Sequence, residues 1–178
     1  KADITMVVKK MTDRSEINRF GLVTMTEEGR ITDIDEKPLE TNLSTVSTGI
    51  YVIRRRLLIE LIEKAASEDR HDFVRDILIR YKNIKKIYGY KLESYWSNIS
   101  SVRSYYKTNM DFLKKDVRDY FFKQYPDIYS KVEDLPPAKY NCGAQVSNSL
   151  VSSGCIVNGT IENSILFKKI YIGNNSVV

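Results

Sequence analysis

Residues 143–178 read GAQVSNSLVSSGCIVNGTIENSILFKKIYIGNNSVV, and their spacing decides the fold of this part of the chain. Aliphatic residues recur at Val146, Val151, Ile156, Ile161, Leu166, Ile172 and Val178, five or six apart, with small or polar residues filling the gaps. This is the pattern of hexapeptide repeats. Each unit forms one side of a triangular coil, and its aliphatic side chain points inward to stack on the coil below. Two coils cannot cap themselves, so further repeats are expected in a longer parent protein.

Working back from the repeats, PDIYSKVEDLPPAKYN (126–141) holds three of the four prolines and no consistent period, so it reads as a connector. DVRDYFFKQY before it reads as a short aromatic helix, and Val102, Tyr105, Tyr106, Met110 and Leu113 define an amphipathic one. Further upstream, ITMVV, RFGLVTM, ITDIDEK and STGIYVIR carry the composition of strands, with a turn at Glu27–Gly29. The period then becomes helical at Leu57, Leu58, Leu61, Ile62 and Ala65, and again at Phe73, Ile77 and Tyr81, with Asp72 as N-cap. KKIYGYKL returns to a strand. The chain divides into an α/β region, 1–125, a linker, 126–142, and a truncated β-helix, 143–178.

The bulk numbers exclude several classes. Hydrophobic residues make up 42% and charged residues 29% of the 178, a globular balance, and no apolar run approaches the roughly 18 residues of a membrane span. A soluble, cytoplasmic protein is expected, with Cys142 and Cys155 reduced and too far apart for a zinc site. The net charge of +5 is modest, and the basic runs Arg54–Arg56 and Lys82–Lys86 read as solvated faces at or just after helices.

Two stretches carry chemistry. Asp-Glu-Lys-Pro at Asp35–Pro38 ends a strand, and the proline is expected to hold Lys37 extended, aiming its ammonium at a phosphate. The adjacent Glu36 carboxylate accepts from sugar hydroxyls. Ten residues on, Ser47 and Thr48 precede Gly49, where another group is expected to approach the backbone.

Together with Phe20-Gly21 and Tyr95-Trp96, these pieces resemble the sugar-phosphate half of the glucose-1-phosphate adenylyltransferases. The resemblance runs over nearly the whole chain. It implies the C-terminal half of a Rossmann-like, mixed α/β nucleotidyltransferase domain, joined by a linker to the start of a left-handed parallel β-helix. It further implies that Gly21, Glu36, Lys37 and Ser47 bind glucose 1-phosphate or another sugar phosphate. His71, Asp72 and Phe73 match a His-Asp-Phe-Gly run, with Val74 in place of the glycine, and His71 reads as structural.

Catalytic members of that family carry Tyr-Trp-x-Asp-Val-Gly-Thr where this chain has Tyr95-Trp96-Ser97-Asn98-Ile99-Ser100-Ser101. The aspartate helps hold the Mg2+ of the reaction. Asn98 offers that cation a neutral carbonyl oxygen instead of a carboxylate, and Ser100 replaces a glycine. Both changes, with the linker and repeats, look like the regulatory, non-catalytic branch typified by the glycogen biosynthesis protein GlgD. The implied partner is a catalytic sister subunit in a hetero-oligomer, with no catalytic residue, metal or cofactor in this segment.

The alternative is a competent subunit whose metal site tolerates Asn98. A nucleic-acid binder, suggested by a pI near 9.1 and twelve tyrosines, is disfavoured because those tyrosines fall on strand and helix patterns. An acyltransferase is weakened by the lack of a histidine base in the repeats.

Overall fold

The computed structural model describes residues 2–124, 129 and 131–178. Part of the expected linker therefore lies outside the described residues. The chain forms two compact units, Lys1–Trp96 and Ser97–Val178.

The first unit is built on a five-stranded mixed sheet. Its strands are β1 (Ile4–Lys10), β2 (Gly21–Met25), β3 (Ile31–Glu36), β4 (Thr45–Ile53) and β5 (Ile87–Lys91), in the order β3-β2-β4-β1-β5. β1 runs antiparallel to β4 and parallel to β5, and β2 is antiparallel to both β3 and β4. The expected turn closes β2 onto β3, with Gly29 N–H donating to Thr26 O at 3.0 Å.

Alternation along β1 puts Ile4, Met6 and Val8 on one face. Helix α1 (Arg55–Ser67) covers that face with Leu61 and Ala65, and a wide-turned helical segment (Phe73–Ile79) adds Ile77 and Leu78. Asp72 caps the segment as expected, accepting from Arg75 N–H at 2.8 Å. A second, smaller core of Ile17, Leu22 and Val46 forms separately and gathers Met11, Phe20, Leu43 and Trp96. Leu22 and Val46 are partners in the ladder, one step along from Gly21 and Ser47, so their side chains lie on the opposite face from those two.

The basic run Arg54–Arg56 lies at a helix and is exposed, as expected: Arg54 is the N-cap of α1, and Arg55 and Arg56 occupy its first turn, the positive end of the helix dipole. Arg54 compensates locally through Asp3, at 3.8 Å, and the Ala2 carbonyl, at 3.3 Å.

In the second unit, helix α2 (Val102–Asp111) starts at a serine box that the sequence reading missed. Ser101 Oγ accepts from Ser104 N–H at 3.1 Å, while Ser100 and Ser101 N–H both donate to Ser104 Oγ. Helix α3 (Lys115–Asp119) continues helically through Tyr120–Gln124, the expected aromatic helix. After it come seven short strands, β6 (Lys139–Tyr140), β7 (Gln145–Ser147), β8 (Leu150–Val151), β9 (Ile156–Val157), β10 (Thr160–Glu162), β11 (Ile165–Leu166) and β12 (Tyr171–Ile172).

All pairings among these strands are parallel, and the chain visits three small sheets in rotation: β12-β9-β6, β10-β7 and β11-β8. The core inside them is Cys155, Val157, Ile161, Leu166 and Ile172. Corners are turned by residues at positive φ, among them Asn148, Asn163 and Asn175, and Asn148 Nδ2 donates to Asn163 Oδ1 one coil away at 2.6 Å.

Three of the seven residues predicted to point inward, Val146, Ile156 and Val178, are exposed, and at Ile156 the register itself needs a correction. Ile156 is 39% exposed and Val157 fully buried, because β9 is only two residues long and its side chains alternate. Ile156 aligns with Lys139 and Tyr171 outside, and Val157 with Ile172 inside. Among the described residues, no helix is long and apolar enough to cross a membrane.

Candidate functional site

The end of β2 is where the expected sugar-phosphate residues meet. Gly21 pairs with Glu36 across the β2/β3 ladder, and Leu22 pairs with Val46, which brings Gly21 beside Ser47. Residues directly opposite in neighbouring strands share a face, so Glu36, Gly21 and Ser47 form one row across three strands. The same row continues to Val8 on β1, so the site rims the helix-covered face.

Gly21 leaves room for this packing. A Cβ there would stand 2.7 Å from Glu36 Oε2 and 3.9 Å from Ser47 Cβ, so the glycine opens the space into which the carboxylate folds. The Glu36 side chain is 15% exposed and pairs with Lys37 Nζ at 3.4 Å, while Lys37, 62% exposed, reaches toward solvent.

Lys37 does not take the extended backbone expected of a residue before proline. Its φ is +52°, and its N–H donates to Phe20 O at 3.3 Å. The bond extends the β2 edge one residue past β3 while the chain turns away. A non-glycine residue in the left-handed region stores about 1–2 kcal/mol of strain, held here by the ladder on one side and Pro38 on the other.

Gly49 is also corrected. Within the chain, no atom lies within 4 Å of where its Cβ would be, so it does not serve a close approach. Its φ of +77° sits in a bulge, where β4 advances from Ser47 to Tyr51 while β1 moves only from Val8 back to Met6. The bulge tucks Ser47 Oγ against Gly49 N–H at 3.3 Å and within 3.2 Å of Tyr51 Oη.

Tyr51 is a site residue that the sequence reading passed over. Burial raises its phenol pKa above the ordinary 10.0; the Ser47 hydrogen bond pulls the other way, and the charges of Glu36 and Asp72 raise it further. Its ring packs on Phe73, with centroids 5.2 Å apart. Asp72 and Phe73 are thereby tied to the same site. The signal lay four residues past Ser47, but only the bulge shows that the two hydroxyls meet.

The remaining candidates fall elsewhere. His71 is exposed, with Nε2 3.0 Å from Asp69 Oδ1, so it is a surface residue and not part of a core. Trp96 packs edge-on against Phe20 at 5.7 Å, in the small core behind Gly21. Asn98 belongs to the second unit and is exposed ahead of the α2 cap. Among the described residues, no group of three His, Cys, Asp or Glu side chains could hold a metal ion. Asn98 presents a neutral amide oxygen rather than a carboxylate to any cation, and hard divalent cations favour carboxylates.

A glycine, a carboxylate and a hydroxyl thus lie in one row across three strands of a mixed sheet, with the Lys37 ammonium beside the Glu36 carboxylate. The sequence profile of the family described as nucleotidyl transferase matches residues 1–115, and the chain belongs to that family. Its relatives there are glucose-1-phosphate adenylyltransferases. The chain is 36% identical over its whole length to the enzyme of Geobacillus stearothermophilus, covering 46% of that protein, and 34% identical to that of Bacillus subtilis (strain 168), covering 47%. The enzyme of Pseudothermotoga lettingae is 32% identical over 92% of this chain and 40% of its own length. The chain therefore spans less than half the length of these relatives.

Proposed function

We propose that this chain is the sugar-phosphate half of a regulatory, GlgD-type subunit in the glucose-1-phosphate adenylyltransferase family, serving glycogen biosynthesis beside a catalytic sister subunit. The observation that carries this reading is a contrast. The row Glu36–Gly21–Ser47 is assembled with Lys37 at its mouth, whereas the position matching the family's metal-binding aspartate is Asn98. A binding site is kept and a cation ligand is lost.

In this reading Glu36 accepts from sugar hydroxyls, Ser47 and Tyr51 donate to or accept from them, and Lys37 neutralises the phosphate. The magnesium of the catalytic family would supply charge neutralisation at the nucleotide's phosphates, and that chemistry is assigned to the partner. The three parallel sheets visited in rotation support a left-handed β-helix, whose flat faces suit a subunit interface.

The test is ADP-glucose pyrophosphorolysis by the full-length protein, alone and mixed with the catalytic subunit of the same cell. No turnover alone, with a changed rate or effector response in the mixture, supports the regulatory role. Sustained magnesium-dependent turnover alone establishes the alternative, a competent subunit.

A further inference from the structure

After β5 ends at Lys91, residues 92–100 have no regular secondary structure, yet this stretch carries the only tryptophan of the chain. Three contacts fix its first half. Leu92 N–H donates to Val8 O at 2.8 Å, carrying the β1/β5 ladder one residue further. Lys9 Nζ then donates to two successive carbonyls, Glu93 O at 3.0 Å and Ser94 O at 2.6 Å. Trp96 finally meets Phe20 edge-on.

Lys9 is placed for this by register. It pairs with Val46, which pairs with Leu22, so its side chain leaves the sheet on the face of the small core that gathers Phe20 and Trp96. The backbone of that core, Phe20 to Leu22 and Val46 to Ser47, is also the backbone of the candidate site on the other face.

We propose that Lys9 is a positioning residue: its ammonium clamps the Glu93 and Ser94 carbonyls, holds the loop so that Trp96 closes the small core behind Gly21 and Ser47, and thereby stiffens the sugar-phosphate row. A charged donor bonded to two backbone carbonyls is stronger than a neutral pair, and it replaces a ladder the loop lacks. The link to ligand binding rests on the sugar-phosphate reading given above. The clamp itself does not.

The sole tryptophan makes the test direct. In the full-length protein, Lys9→Met keeps the stem and removes the donors, while Lys9→Arg restores them. Tryptophan emission and acrylamide quenching report the loop, and titration with glucose 1-phosphate reports the site. If full-length numbering brings in other tryptophans, these are first replaced by phenylalanine.

Lys9→Met is expected to red-shift the emission, to raise the quenching constant about twofold, and to weaken glucose 1-phosphate binding roughly three- to tenfold, less than the full worth of a charged hydrogen bond because the clamp acts on the site indirectly. Lys9→Arg is expected to recover most of both. Wild-type emission and quenching in a folded Lys9→Met protein would overturn the clamp. A shifted emission with unchanged affinity would overturn its tie to the site. A shifted emission in a protein that never binds glucose 1-phosphate would leave the clamp standing and overturn the sugar-phosphate reading. Should Lys9→Met fail to fold, Lys9→Leu also removes the donors and gives the same readouts, and a wild-type spectrum there is equally fatal.

Discussion

The sheet of the first unit and the coil of the second both bury aliphatic side chains from short strands, but they treat irregularity in opposite ways. In the sheet, three departures from regular geometry lie at the candidate site, a bulge at Gly49, positive φ at Lys37 and a glycine at the end of β2, while a further register shift and a positive-φ Gly29 lie at the β2–β3 turn. In the coil, positive φ recurs at the corners, at Gly143, Asn148, Gly154, Asn163, Lys169 and Asn175, and serves only to turn the chain. A layered core with helices on one face can absorb a bulge and use it to aim side chains. A single column of inward residues cannot, because each coil depends on the next.

The largest effect that sharpens this contrast is in the coil column. Ile161→Ala should cost about 3–4 kcal/mol by chemical denaturation, since Ile161 is fully buried, while Ile156→Ala, one strand earlier and facing out, should cost under about 0.5 kcal/mol. Equal costs would mean that the inward register is misassigned.

Next is backbone closeness in the coil. Gly159→Ala puts a Cβ 2.4 Å from Ser176 O and 2.8 Å from Gly173 O, backbone atoms with nowhere to go. A loss of about 2–3 kcal/mol is expected, with the melting of the coil as readout.

At the site the sign should reverse. Lys37→Gly relieves the left-handed strain and should stabilise the protein by about 1 kcal/mol while removing the ammonium that the proposed function assigns to the phosphate. Stability would rise and affinity for glucose 1-phosphate would fall together. A destabilised Lys37→Gly protein would break the claim that irregularity here serves the site.

The smallest effect is in pH dependence. Tyr51 has its pKa raised by burial, so the folded state keeps a proton that the unfolded chain begins to lose above 10.0. Its contribution is complete below that value and shrinks as pH rises through the folded pKa. Urea melts at about pH 9 and about pH 11 should therefore show a steeper loss for the wild type than for Tyr51→Phe.

Much of the fold was legible because strong local signals agreed. The strands of the first unit, the helices at Leu61 and Ile77, the Asp72 cap and the turn before Gly29 each follow from a period or a residue type that only one local structure satisfies. What the local signals missed were features made by pairing. The pre-proline rule points Lys37 to extended backbone, and a non-local bond to Phe20 overrides it. The repeat spacing selects Ile156 as readily as Val157, since both are aliphatic and adjacent, and only the alignment with Tyr171 and Ile172 separates them.

The sequence by itself determined the order of parts and the residue types of the candidate site: a glycine, a Glu-Lys pair and a serine, spread over three strands. Periodicity and backbone preference act within a few residues, so the sequence can announce such parts wherever they fall. Only the tertiary structure decided that Glu36, Gly21 and Ser47 share a row, that Tyr51 joins them across a bulge, and that Lys9 reaches the loop of Trp96 from the opposite face. Those facts depend on strand register, which is set by the whole sheet at once and leaves no trace in any single segment.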